Sequence, residues 1–180
     1  MRQALIIIDV QNDYFPEGKK PLHQPEKALE KIHQLIEKFQ KDNQPIIFIQ
    51  HISNQPEPTF FKAKTYGVEL HPSFDIQKQS IVIEKHYPNS FFDTSLQQVL
   101  QKLEIEQVIL CGMMTHNCVD STTRAARELG FNPILIADAT ATCDLTWQGE
   151  IVPAQQVQLA YFAALQNFAT LVETHHFLQR

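Results

Sequence analysis

The sequence predicts an α/β fold, a doubly wound and mostly parallel six-stranded sheet with helices on both faces in a Rossmann-like three-layer arrangement. Short continuous apolar runs, as at residues 4–8 and 46–49, have the length and composition of buried parallel strands. Amphipathic helical patterns alternate with these runs. At 180 residues, 43% of them hydrophobic, the chain suits one domain over residues 1–180.

The first half of the chain contains three predicted strands, at residues 4–8, 46–49 and 80–83. A helix begins at Pro25 and places one apolar face toward the sheet. That face consists of Ala28, Leu29, Ile32, Leu35, Ile36 and Phe39. Residues 53–78 contain prolines and aromatics without a clean period, and a loop of that length is usually a lid, a pocket wall or a route to a second subunit.

The second half continues the alternation with strands predicted at residues 108–111, 133–137 and 169–172. Helices are predicted at about residues 95–103, at 119–129 and at 153–167, from apolar residues spaced three or four apart. A loop containing Trp147 lies between the strand at 133–137 and the helix at 153–167, and a short polar tail follows the last strand.

Composition excludes several classes of function. A net charge of -5 and a pI near 5.9 argue against a nucleic-acid-binding protein. A strand-like run follows Gln3 directly, so we expect no signal peptide, and no apolar stretch approaches the length needed to cross a bilayer. Its three cysteines are odd in number and lack metal-type spacing, so we expect reduced thiols and a cytoplasmic protein.

Cys118 is the strongest candidate for a reactive group. It follows the apolar run at residues 108–111 and Gly112, and it lies at the start of a predicted helix. Unpaired N–H groups and the helix dipole at such a position favour a thiolate and predict a depressed thiol pKa. The alternative is a buried structural cysteine, which is the more common role of an unselected free cysteine.

Two charged residues follow other predicted strands. Asp9 follows the strand at 4–8 and Lys85 follows the strand at 80–83, so both lie at the sheet edge where ligands bind in open α/β sheets. Asp9 could accept the thiol proton and return it to a leaving amine, while Lys85 would favour the ionised forms of both neighbours. The backbone N–H groups of Met114 and Cys118 would stabilise an oxyanion. The alternative for Asp9 and Lys85 is a pair of ordinary surface charges.

Asp9 after its strand, Lys85 before the segment 90–94, and the stretch GMMTHNCVDSTTRAARELG at residues 112–130 together resemble the isochorismatase-like cysteine hydrolase superfamily. The similarity runs over residues 4–138. It implies a doubly wound sheet, a catalytic triad of Asp9, Lys85 and Cys118, a homo-oligomer, and a cis peptide bond between Met113 and Met114.

Departures from relatives narrow the expected activity. Nicotinamidases of this superfamily have an aspartate and histidines after the second strand that bind a metal, whereas this chain has His51 alone among Gln50, Ile52 and Ser53. A single histidine at a strand end is more often structural, so we expect no metal and no cofactor. True isochorismatases lack the nucleophilic cysteine, so Cys118 favours hydrolysis of an amide through a thioester.

Three aromatic residues are candidates for the walls of a small, partly apolar substrate pocket. Phe15, Tyr87 and Trp147 each fall in a predicted loop after a strand end, although ordinary packing is an equal alternative for each. The sequence thus predicts a metal-independent cysteine amidohydrolase acting on a small carboxamide. The alternatives are an inactive small-molecule binding module on the same fold and a nicotinamidase-type activity without the usual metal site.

Overall fold

The computed structural model describes residues 1–179 and contains a parallel six-stranded sheet in the order β3-β2-β1-β4-β5-β8. Its strands are β1 (Gln3–Ile8), β2 (Ile46–His51), β3 (Ile81–Lys85), β4 (Gln107–Met113), β5 (Asn132–Ala141) and β8 (Thr170–Val172). β6 (Leu145–Trp147) and β7 (Glu150–Val152) form a separate antiparallel hairpin. The predicted doubly wound parallel sheet is confirmed.

Helices cover the two faces of the sheet. They are α1 (Pro25–Lys41), α2 (Leu96–Lys102), α3 (Asp120–Glu128), α4 (Ala154–Leu165) and α5 (Thr174–Leu178). One core joins α1 and α5 to alternate residues of β1 and β4, and a second core joins α2, α3 and α4 to the residues between them. No helix within residues 1–179 has both the length and the apolar composition needed to span a membrane.

The central strands are buried on both faces, which explains their uninterrupted apolar sequence. Every residue from Ala4 to Ile8 is completely buried, with alternate side chains in the two cores. Burying one such aliphatic side chain contributes about 1.5–3 kcal/mol. The sheet is therefore a rigid base for the residues that follow β1 and β4.

The structure differs from the sequence predictions in the last third of the chain. β5 does not end at residue 137 but continues to Ala141, because its register against β4 shifts between Leu110 and Gly112. Trp147 lies in the β6–β7 hairpin instead of a loop. The expected polar tail contains α5, whose first residue Thr174 donates its N–H and hydroxyl to the Asp138 carboxylate.

Candidate active site

The order in which successive strands are added to the sheet reverses between β1 and β4. β2 and β3 extend the sheet on one side of this point, and β4, β5 and β8 extend it on the other. Asp9 directly follows β1, and Cys118 follows β4 in a π-helical turn, Thr115–Val119, that leads into α3. Ligands of doubly wound sheets bind at the carboxyl edge of such a reversal point, so both residues lie where a substrate would bind.

Asp9 and Lys85 form a completely buried ion pair. Lys85 Nζ lies 2.8 Å from Asp9 Oδ2, and neither side chain is exposed. Lys85 is the last residue of β3, and it also donates to the backbone carbonyls of Tyr87 at 3.0 Å and Pro88 at 3.3 Å. No hydrogen bond to Asp9 Oδ1 is formed by residues 1–179. This oxygen is therefore available to accept a proton.

Burial and charge act in opposite directions on this pair. Burial alone would raise the pKa of Asp9, but the net effect of its neighbours, of which the Lys85 charge is the largest, lowers that pKa below its ordinary value. Burial would lower the pKa of Lys85, but the adjacent Asp9 carboxylate outweighs burial and raises it. The resting site therefore contains a carboxylate and an ammonium.

Cys118 is 1% exposed and belongs to the core formed with α2, α3 and α4. Burial and the negative charge of Asp9 raise the pKa of its thiol, and Lys85 opposes them only in part. The sequence prediction of a depressed pKa at a helix start is therefore wrong, because desolvation outweighs the effect of the helix N-terminus. The resting nucleophile is a neutral thiol, and its attack requires a base.

The segment between β4 and the π-helical turn positions the expected oxyanion donors. The Met113–Met114 peptide bond is cis, as the family resemblance implies. The Met114 carbonyl accepts hydrogen bonds from the N–H groups of Asn117 and Val119 at 3.0 and 3.2 Å. The Met114 N–H group donates no hydrogen bond within residues 1–179, so it can bind a substrate oxygen.

His51 is the functional candidate that sequence reasoning missed. Its Nδ1 atom lies 3.1 Å from Lys85 Nζ, 3.7 Å from Asp9 Oδ2 and 3.8 Å from Cys118 Sγ. His51 is the last residue of β2 and pairs in register with Lys85, the last residue of β3. That shared position at adjacent strand ends was the available signal, since it places the two side chains at the same edge.

The residues around His51 do not fit the metal found in some relatives. Ligand atoms of Asp9, His51 and Cys118 lie within 4.8 Å of one another. However, the Lys85 ammonium is 2.8 Å from Asp9 and 3.1 Å from His51 Nδ1, so it occupies the space between two of these ligands with a positive charge. The Lys85 ammonium would repel a divalent cation at this position.

A second group of potential metal ligands lies far along the chain from this site. Glu173, His175 and His176 lie together at the C-terminal end of the sheet, and all three are exposed. His175 Nδ1 contacts the Glu173 carboxylate at 3.3 Å, which is an ordinary surface interaction.

The predicted pocket aromatics lie in three different environments. Phe15 is buried against the His71 ring, with centroids 4.3 Å apart. Tyr87 is partly exposed and packs edge-on against Phe92, while its carbonyl binds Lys85. Trp147 is highly exposed on the hairpin. Their proposed role as pocket walls stays a prediction.

Two other aromatic residues lie close to the catalytic candidates. The Phe61 ring packs 5.7 Å from the His51 ring and 4.6 Å from the Tyr14 ring. Burial and the nearby Cys118 and Asp9 raise the pKa of Tyr14 well above its ordinary value, so this phenol stays neutral. The Phe61 N–H donates to the buried Asp13 carboxylate at 2.6 Å, which fixes the loop against the site.

Comparison with known proteins agrees with this fold. The isochorismatase domain family matches residues 3–175, which is nearly the whole chain.

This chain belongs to the isochorismatase family.

Two similar proteins cover its full length. The uncharacterized isochorismatase family protein YddQ of Bacillus subtilis (strain 168) is 42% identical over 99% of this chain and 100% of its own. The crystal structure of a protein described as an isochorismatase hydrolase from Oleispira antarctica superposes with a TM-score of 0.94 and 37% identity, over 99% of this chain and 97% of that one.

A more distant relative has a name that states a reaction. Nicotinamidase 3 of Arabidopsis thaliana is 29% identical over 94% of this chain and 84% of its own. Because the chain belongs to the isochorismatase family and its relatives include hydrolases, this protein is a hydrolase.

Proposed function

We propose that this isochorismatase-family protein is a metal-independent cysteine amidohydrolase, which cleaves the C–N bond of a small carboxamide through a thioester at Cys118. The observation that supports it most is the convergence of Asp9, Lys85 and Cys118 at the reversal point of the sheet. The nicotinamidase relative supports a carboxamide as the substrate class. A nucleophile that is 1% exposed favours a small substrate.

In the first half of the reaction, the Cys118 sulfur attacks the amide carbon while Asp9 accepts the thiol proton. A C–S bond forms, and the carbonyl electron pair moves to oxygen, where the N–H groups of Met114 and Cys118 stabilise it. Because the thiol pKa is raised and the Asp9 pKa is lowered, proton transfer at rest is uphill. It therefore accompanies C–S bond formation, and the Lys85 charge stabilises the anionic site throughout.

Collapse of the tetrahedral adduct breaks the C–N bond. Asp9 returns its proton to the nitrogen, which leaves as ammonia or an amine, and the acyl group remains as a thioester. Water then attacks the thioester carbon and gives a proton to Asp9. The C–S bond breaks, the Cys118 sulfur recovers the proton, and the products are one carboxylic acid and one amine for each water consumed.

A panel of small carboxamides, with nicotinamide included, tests this proposal against wild type and Cys118→Ala. We expect turnover by the wild type and a loss of at least about a thousandfold in Cys118→Ala, since no other group can form the covalent intermediate. Intact-mass spectrometry with a slow substrate should show an acyl adduct on wild type. Cys143→Ala is the matched control, because Cys143 is a partly buried thiol outside the triad.

Undiminished hydrolysis by Cys118→Ala would refute the proposed nucleophile. Binding of carboxamides without turnover, measured by calorimetry on the wild type, would instead support the binding-module alternative.

A further inference from the structure

His51 is the part of the catalytic cluster that meets solvent. Its side chain is 15% exposed, whereas the side chains of Asp9 and Lys85 are completely buried and Cys118 is 1% exposed. Among these four side chains, His51 is therefore the one that a molecule arriving from solvent can contact most readily.

The position of His51 is fixed by its backbone. The completely buried Gln11 side chain donates to the His51 carbonyl at 2.9 Å and accepts from the His51 N–H at 2.8 Å. The same Gln11 amide donates to the Val68 carbonyl at 2.7 Å. Together with the Phe61 ring, these contacts hold the imidazole in one place relative to the nucleophile.

The Lys85 contact bears on which ring nitrogen of His51 carries hydrogen. A lysine ammonium is only a donor, so a hydrogen on Nδ1, which lies 3.1 Å from Lys85 Nζ, would point at a positively charged donor. The Asp9 oxygen at 3.7 Å from Nδ1 is too far to accept a hydrogen bond from it. This contact therefore favours the tautomer of His51 that has its hydrogen on Nε2.

The Nε2–H group has no partner among the residues that the structure describes. It makes no hydrogen bond to residues 1–179, and unlike the Asp9 carboxylate oxygens it is not sealed from solvent. The other ring nitrogen, Nδ1, is 3.8 Å from Cys118 Sγ, so this N–H group belongs to a ring beside the nucleophile. It can therefore contact an atom a few bonds away from the carbonyl carbon that Cys118 attacks.

We infer that His51 binds substrate, and that its Nε2–H group donates a hydrogen bond to an acceptor atom on the acyl part of the carboxamide. The inference rests on the proposed amide hydrolysis and names its substrate class, which is carboxamides with a ring nitrogen, hydroxyl or ether oxygen near the carbonyl. Carboxamides with only hydrocarbon at that position would leave the Nε2–H group unpaired on binding, which disfavours them.

The first test is nitrogen-15 NMR of the histidine rings and needs no substrate. In the wild type we expect His51 to show the Nε2–H tautomer, with Nδ1 as an acceptor. The His51 signals are assigned by their loss in His51→Asn. An Nδ1–H tautomer would overturn the inference whether or not the protein hydrolyses amides, so this result is independent of the proposed function.

The second test compares substrates matched in shape, namely nicotinamide with benzamide and glycolamide with propionamide. His51→Asn keeps an acceptor toward Lys85 but has no distal donor, whereas His51→Gln restores a distal N–H donor. We expect the wild type to prefer the acceptor-bearing member of each hydrolysed pair by about tenfold in kcat/KM, mainly through KM. His51→Asn should lose the preference, and His51→Gln should recover most of it.

His175→Asn is the matched control, since His175 is an exposed histidine on α5, and it should keep the wild-type preference. An equal preference in wild type and His51→Asn would overturn the inference while leaving the amidase proposal intact. Failure of every carboxamide would instead count against the proposed function, and the NMR result would still decide the tautomer. Thermal unfolding of each variant identifies any that fails to fold.

Discussion

Asp9 and Lys85 each provide the compensating charge for the other in a part of the protein that excludes water. Their side chains are completely buried and 2.8 Å apart. Removing one partner of such a pair leaves an uncompensated buried charge, which commonly costs about 3–5 kcal/mol. Replacing both partners by neutral groups of similar volume leaves no such charge.

We therefore expect Lys85→Met to lower the free energy of unfolding by about 3–5 kcal/mol, because it leaves the Asp9 carboxylate unpaired. The double variant Asp9→Asn/Lys85→Met should recover most of that loss, although it should have no hydrolytic activity. Urea unfolding of the wild type, both single variants and the double variant measures the coupling as a double-mutant cycle. Additive losses would show that the two charges are not mutual partners.

Gly112, near the end of β4, lies opposite Ile8 of β1. Its φ is +121°, and a Cβ added there would lie 2.1 Å from the Ile8 carbonyl oxygen. We expect Gly112→Ala to destabilise the protein by about 3 kcal/mol or more, from backbone strain and the separation of two central strands. Urea unfolding measures the effect.

Gly130, which follows α3, is the matched control for this substitution. Its φ is also positive, at +88°, but no atom lies within 4 Å of an added Cβ. Gly130→Ala should therefore cost only about 1 kcal/mol, the price of its backbone conformation. Equal losses at the two glycines would mean that the contact between β1 and β4 is not the cause.

The periodicity of the sequence was sufficient to predict most elements. The apolar runs of β1, β2 and β4 are buried on both faces, so their side chains cannot be polar and the strands are easily recognised. The positions of Asp9 and Lys85 followed directly, because a charged residue after a buried strand lies at the sheet edge.

Three features depend on contacts between segments that are distant in sequence. The local sequence pattern therefore does not predict these features. The raised pKa of Cys118 results from its burial beside Asp9, which a helix-start argument ignores. The extension of β5 to Ala141 follows a register shift against β4. The role of His51 required the knowledge that β2 lies between β1 and β3, which brings its last residue beside the Asp9–Lys85 pair.

For the molecule as a whole, the strand order explains how one site draws on residues from four strands. β1 and β4 are neighbours at the reversal point, and β2 and β3 follow on the β1 side. Because every pairing in this sheet is parallel, all four carboxyl ends face the same edge. The site is therefore a consequence of topology, and only the side chains at the strand ends specify its chemistry.

Exposed apolar side chains on the surface indicate where the expected homo-oligomer could form. We propose that it forms through the β6–β7 hairpin and α4. Trp147 is 75% exposed, Ile151 66% and Leu159 69%, and these residues lie on consecutive segments of the chain. Large exposed apolar side chains are typical of an interaction surface when they form a continuous patch, and the proposal is that these do. The alternative from the sequence, the segment 53–78, exposes Tyr66 at 63%.

Light scattering coupled to size-exclusion chromatography distinguishes the two surfaces. We expect the wild type to elute as a dimer or larger species, and Trp147→Glu/Leu159→Glu to elute as a monomer, since two carboxylates in an apolar interface would be desolvated without partners. Tyr66→Glu is the matched control and should keep the wild-type mass. A monomer only in Tyr66→Glu would place the interface on the segment 53–78, and a monomeric wild type would refute the oligomer altogether.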